Sequence, residues 1–157
     1  MTHKHGLGSF LSAALVLLAG ASLAAGLHGA EAQKDRETHM KEMGKAAKAM
    51  RDSLVAGSAA PAVIKPEADK IVAGSKALIT WFPKGSGQEV APKSRALPVV
   101  WTDWSAFQAK AHDFELAAAK LDAVSGSGDV AKIGAAMKEV GGACKGCHEK
   151  FQAPEKD

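Results

Sequence analysis

The chain of 157 residues has no tyrosine, five phenylalanines and three tryptophans. So few large rings make only a modest core, to which a buried prosthetic group would add apolar contact area. Cysteine is nearly absent as well, with two in the whole chain. Two cysteines exclude a disulfide framework, and one pair with scattered histidines falls short of the four ligands a structural zinc ion takes. Charge of one sign is also lacking: basic residues exceed acidic ones by three. No basic patch interleaved with aromatics is visible, which argues against nucleic acid as a partner. The lysines are scattered at helical spacing, a solvated face with a weak preference for acidic partners. Strand-like runs are missing too, which removes the βαβ setting of a thiol-disulfide redox pair.

What is present is concentrated near the end of the chain. Cys144, Lys145, Gly146, Cys147 and His148 form Cys-x-x-Cys-His, the spacing at which haem is attached covalently. Two thiols three apart on a helix lie on nearly one face, so both can add to the vinyl groups along one porphyrin edge. His148 is then placed to reach the iron through a ring nitrogen as the proximal axial ligand. Both cysteines of the chain serve this motif. A redox dithiol, a zinc pair or a chance disulfide are the competing readings, the last geometrically poor inside a helix.

The first residues look like an export signal. His3, Lys4 and His5 make a polar, basic start, and the stretch from Leu7 to Leu27 carries no charge. Ala30-Glu31-Ala32 offers a small-x-small cleavage site, with Ala24 or Ala25 as earlier candidates. The expected division is a leader over 1–32, cleaved, and a mature domain over 33–157. The competing reading is an uncleaved anchor, since about twenty apolar residues span a bilayer. Removing the leader takes away Lys4 and Glu31 and leaves the net charge at +3. Export places the protein in the periplasm, where an unattached cysteine pair tends to oxidise.

Four segments of the mature chain show helical periodicity. The first, 35–56, has Met40, Met43, Ala47, Met50 and Leu54 on one stripe, with Gly57 as its end. The second starts at Pro66, carries Ala68, Ile71, Ser75, Leu78 and Phe82, and stops at Pro83. A long loop rich in Gly and Pro follows, of a length that can pack over a bundle end. The third begins near Thr102 or Asp103 and carries Trp104, Phe107, Ala111, Phe114, Ala118 and Leu121. The fourth begins at Asp129 and carries Val130, Ile133, Met137, Val140, Cys144, Cys147 and Phe151. The predicted fold is all-α: an antiparallel up-down-up-down four-helix bundle enclosing a covalently bound haem. Both cysteines lie on the apolar stripe, so the haem is expected on the inward face of the last helix. Gly141, Gly142 and Gly146 leave room there for a flat ring.

The second axial position decides the function. The first helix neighbours the fourth in such a bundle, and it carries Arg36, Met40, Met43 and Met50. A thioether bonds haem iron and raises its potential, which suits electron transfer; an apolar residue that does not bond leaves a site for a small gas molecule. Methionine at helical spacing is also ordinary core filler. His39 and His112 lie off the stripe, as surface or boundary residues. Arg36 is a candidate partner for a haem propionate, or else a solvated first-turn residue.

At this point the chain resembles the class II c-type cytochromes, the cytochrome c-prime family. The resemblance rests on Arg36-x-x-x-Met40, on Leu78-Ile-Thr-Trp-Phe-Pro83, on Ala96-Leu97-Pro98 leading to Trp101, and on Cys144 to Phe151 (Cys-Lys-Gly-Cys-His-Glu-Lys-Phe). It implies one haem c per chain and one of two branches. In the first, iron is five-coordinate and binds nitric oxide or carbon monoxide. In the second, a methionine of the first helix completes a low-spin electron carrier. Met40 stands at that ligand's position, and Met40-Lys-Glu-Met-Gly44 looks more like the second branch. The expected function is therefore single-electron transfer to redox partner proteins, without conversion of a substrate, so not an enzyme; the five-coordinate gas binder is the alternative. A helical protein with no haem is the third reading. The resemblance also implies homodimers packed through the first two helices. One departure stands out: the family often has a basic residue after the aromatic that follows the motif, and here that residue is Gln152, with Lys150 as the expected substitute charge near His148.

Overall fold

The structure is a computed structural model that describes the backbone of residues 11–154 and the side chains of residues 28–154. The basic start of the expected leader, at His3 to His5, lies outside the described residues. Five α-helices follow in order: α1 (Leu11–Val55), α2 (Pro61–Ala77), α3 (Val99–Thr102), α4 (Trp104–Ser125) and α5 (Val130–Phe151), with a 3-10 turn at Leu78–Trp81. Among the described residues there is no β-strand, only an isolated antiparallel bridge between Ala96 and Gln152. The four long helices form the predicted up-down-up-down bundle. α1 packs on α2, α2 on α4 and α4 on α5, while α1 and α5 approach one another only sparsely. The bundle is a closed ring with one loose seam.

Local chemistry explains the boundaries. Gly57 adopts a left-handed φ of 71° after α1, and its N–H and that of Ser58 return to the carbonyls of Leu54 and Ser53 at 3.0 Å. These bonds satisfy carbonyls the helix end would orphan. The carboxylates of Asp103 and Asp129 accept from the N–H groups of Ala106 and Lys132, capping α4 and α5. Both carboxyls are held below the ordinary range, Asp103 first by its bond to Lys150 and Asp129 first by the Lys132 N–H.

Three boundaries differ from expectation. α1 starts at Leu11, not near Asp35, and runs straight through Ala30-Glu31-Ala32. The stretch is rich in Ala and Leu and holds no proline, so nothing local stops it. α2 starts at Pro61, which sits at its first position, and carries Pro66 inside. Starting a turn earlier buries Ile64 completely, and burial of that size offsets part of the cost of an internal proline, about 3 kcal/mol. The approach to α4 contains the one-turn α3, too short for any period to show.

The core follows the predicted stripes closely. Met50, Ala68, Ile71, Leu78, Phe107, Phe114, Ala118, Leu121, Ile133, Met137, Val140 and Phe151 are buried. Val130 and Ile79, placed on stripes by their spacing, are exposed, because each lies at the end of its helical run. Phe107 sits at the centre of the few rings available. It meets Phe82 at 4.7 Å, Trp104 at 5.3 Å and Phe151 at 5.3 Å between centroids. It is 2% exposed. Phe107→Ala is expected to cost about 3–5 kcal/mol of stability, the range for emptying a buried aromatic site. Urea unfolding followed by circular dichroism measures this.

Candidate functional site

α5 places Cys144 and Cys147 half-buried against the hydrophobic core, on the face that also carries Val140 and Phe151. Both thiols are free. Burial pushes both up: the Cys144 thiol lies above its ordinary value, and Cys147 is raised to about 11 by desolvation and then by its neighbour Cys144. Reactive redox dithiols have the opposite property, a depressed thiol pKa. Among the described residues no group of three or more His, Cys, Asp or Glu could hold a metal ion. A Cβ built on Gly141, Gly142 or Gly146 would meet nothing within 4 Å. The backbone beside the thiols therefore has open space around it, and α5, which carries it, packs only sparsely on α1. Two adjacent thiols, bare backbone around them and a loose seam fit a flat porphyrin.

His148 follows on the last turn of α5 with exposed surface. Partial burial of its ring, then the positive charge of Arg95, hold its pKa below the ordinary histidine value. The imidazole is thus neutral at neutral pH, with a nitrogen lone pair free to bond iron. A haem bound here would supply an iron that changes oxidation state; Cys144 and Cys147 would hold its edge, and His148 would offer it a ring nitrogen.

The other predicted residues are distributed as follows. Met40 is half-buried and packs against the core from α1. Met43 takes another direction: a Cβ on Gly74 would sit 2.3 Å from its sulfur, so this side chain fills the crossing of α1 and α2. Met50 is fully buried filler. His39 stacks on Trp81 at 4.6 Å and 15°, and His112 is exposed, 3.9 Å from Glu115.

Arg36 departs furthest from expectation. It is 5% exposed. Nη1 donates to the Trp81 carbonyl and to Ser86 Oγ, both at 3.1 Å; Nη2 donates to the Ser86 carbonyl at 2.8 Å and to Ser94 Oγ at 3.2 Å. The guanidinium also lies 4.7 Å from the Phe82 ring. Burial lowers its pKa, with Glu89 opposing. Four of its five N–H donors are thus committed to protein acceptors, and the loop over 82–98 buries Arg36, which is therefore not a solvated first-turn residue.

The charge near His148 also differs from expectation. Lys150 pairs with Asp103 at 2.8 Å. The cation that acts on His148 is Arg95, from the loop; its Nε donates to the Ala153 carbonyl at 3.0 Å and Nη2 to Gln152 Oε1 at 3.4 Å. Sequence reasoning missed Arg95, Ser86 and Ser94. Loop residues have no period; the pairing of residues 95–97 with 151–153 brings Arg95 to the end of α5, and Arg36 ties Ser86 and Ser94 to α1.

The fold and site define a class, a four-helix bundle with a single c-type haem motif on its last helix. Comparison with known proteins narrows it. The family model described as Cytochrome C' matches residues 31–152. The cytochrome c' of Rubrivivax gelatinosus is 43% identical over 89 residues, 53% of this chain and 69% of that protein. A crystallised cytochrome c' described as having ligand-controlled dimer dissociation superposes with a TM-score of 0.75 at 26% identity, covering 80% of this chain and 97% of the other. The nitric oxide complex of a variant of the cytochrome c' of Alcaligenes xylosoxidans superposes with a TM-score of 0.73 at 25% identity, covering 81% and 97%. The chain belongs to the cytochrome c' family. It is a c-type haem protein with one covalently attached haem c, and its two cysteines are the residues that fit the attachment.

Replacing both Cys144 and Cys147 by Ser is expected to abolish covalent attachment. After acid–acetone extraction, a pyridine haemochrome assay should find no haem on the double variant, and its mass should equal that of the bare polypeptide.

Proposed function

We propose that this cytochrome c' holds its haem through Cys144 and Cys147, with His148 as proximal ligand, and leaves the opposite face of the iron open to a small diatomic ligand, nitric oxide or carbon monoxide. The observation that carries this reading is the likeness, over nearly the whole bundle, to a cytochrome c' whose variant was solved with nitric oxide bound. Two other histidines are engaged elsewhere: His39 stacks on Trp81 and His112 lies exposed beside Glu115. The methionine-ligated branch, which the Met40 run suggested, gains nothing from the comparisons. The protein binds a ligand, or passes an electron, without transforming a substrate, and is not an enzyme. Residues 1–32 act as a cleaved leader and the mature domain works in the periplasm. A homodimer is the natural assembly, by analogy with the relative whose dimer responds to ligand.

The second reading keeps one observation. Met40 is half-buried on α1, one turn beyond Arg36 and directed at the core. Bonded to iron, it would make the protein a low-spin electron carrier serving redox partner proteins. The visible spectrum separates the two. The expected outcome is a high-spin ferric spectrum without a sulfur-to-iron band in the far red, and a ferrous form that binds carbon monoxide. A low-spin ferric spectrum that Met40→Ala converts to high-spin establishes the electron carrier instead.

A further inference from the structure

The two helices on either side of the expected haem, α1 and α5, touch each other sparsely. Something else must set their separation, and the loop over 82–98 is bonded to both. On the α1 side Arg36 reaches the loop through Ser86 and Ser94. On the α5 side residues 95–97 pair with residues 151–153: Leu97 N–H donates to the Phe151 carbonyl at 2.9 Å, and Ala153 N–H to the Arg95 carbonyl at 2.7 Å. Arg95 adds its guanidinium bond to the Ala153 carbonyl. The two attachments meet at one side chain. Ser94 Oγ accepts from Arg36 Nη2 at 3.2 Å and from the Ala96 N–H at 3.3 Å. Ala96 bridges to Gln152, and the Gln152 N–H donates to the His148 carbonyl at 3.0 Å.

Hydrogen bonds joined by short stretches of backbone therefore lead from α1 through residues 94–97 to the end of α5, beside His148. Met40 lies one turn beyond Arg36, on the same face of α1. The loop is also stiffly held: Ser86 Oγ donates to the Pro83 carbonyl at 2.8 Å, Gln88 Nε2 donates to the Ser94 carbonyl at 2.9 Å, and Trp101 Nε1 donates to the carbonyls of Phe82 and Pro83 at 3.1 Å. Ser86 is fully buried and Ser94 nearly so, so these bonds form away from competing water.

We propose that this loop is a strap that fixes the offset of α1 from α5, and that Arg36 and Ser94 are positioning residues for the open face of the haem. They act through Met40, which the strap holds short of the iron. The proposal rests on the five-coordinate reading for its sign but not for its existence. A strap made of hydrogen bonds is an adjustable constraint: loosening it lets the seam close, and the iron's coordination reports the closure.

The test uses haem-loaded protein and compares the parent with Ser94→Ala, Arg36→Gln and the double variant Ser94→Ala/Met40→Leu. Ser94→Ala leaves the guanidinium its other acceptors, so it tests the strap even where Arg36→Gln fails to fold. Ferric spin state by electron paramagnetic resonance, carbon monoxide affinity of the ferrous form and melting temperature are read together. Ser94→Ala is expected to raise the low-spin to high-spin ratio and weaken carbon monoxide binding by about fivefold, the factor of one ordinary hydrogen bond. Both changes are expected to vanish in the Met40→Leu background. A lower melting temperature with unchanged spin ratio and affinity overturns the proposal, because the loop then serves stability alone. A shift of equal size with and without Met40 overturns it as well. A low-spin parent refutes the five-coordinate reading by itself; the strap is then tested by the spin ratio of Ser94→Ala against that parent, and an unmoved ratio refutes it.

Discussion

Two thiols on the inward stripe of α5 constrain everything around them. Cys144 and Cys147 share the helical face that Ile133, Met137 and Val140 use to pack the core. Whatever is bonded to those sulfurs is thereby committed to the interior, and the bundle must leave it room. The loose seam between α1 and α5 and the bare backbone at Gly141, Gly142 and Gly146 are two sides of that accommodation. A bundle packed equally tightly on all four sides would hold the same helices with no place for the ring. The elevated thiol pKa values belong to the same constraint, since apolar surroundings that suit a porphyrin also disfavour a thiolate.

A seam left open in one place requires closure in another. Here the closing element is polar: a buried guanidinium surrounded by serines, carbonyls and the faces of Phe82 and Trp101. Burying a charge is costly unless its hydrogen bonds are made, and Arg36 makes four of them to a loop that would otherwise have little to fold upon. No buried side-chain polar atom among the described residues lacks a partner. The loop, in turn, contributes the short pairing with the end of α5 and brings Arg95 beside His148. Gln152, which follows the motif's aromatic, accepts from Arg95 of the loop.

Most of this fold was legible in the sequence because helices advertise themselves by period. The three-four spacing from Phe107 to Leu121 and from Ile133 to Phe151 located two helices and their buried faces, and Asp129 located a cap. The cysteine motif was equally legible, since its chemistry fixes its spacing. Legibility failed where contacts are made across the chain rather than along it. Arg36 looked like a surface or propionate residue because its acceptors lie 45 to 58 positions away. Pro66 looked like a helix start because a proline favours the first turn, although Pro61 took that role and Ile64 needed the extra turn. The full reach of α1 was hidden because a leader and a helix share one composition, rich in Ala and Leu and free of proline. In the full-length chain Gly29 approaches the bundle, where a Cβ would sit 2.0 Å from the Gly85 carbonyl; cleavage after Ala32 would remove that contact from the mature domain.

The crowding of rings at one end of the molecule has an optical meaning. Trp81, Trp101 and Trp104 all belong to the loop end of the bundle, within or beside the contacts of Arg36 and Phe107, and the chain has no tyrosine to add emission from elsewhere. In the haem-free Cys144→Ser/Cys147→Ser variant, where no porphyrin quenches the tryptophans, ultraviolet fluorescence is therefore a local reporter. It follows the fastening and unfastening of that end, whereas far-ultraviolet dichroism averages over every helix, and a difference between the two signals during unfolding would locate the first place where the bundle gives way.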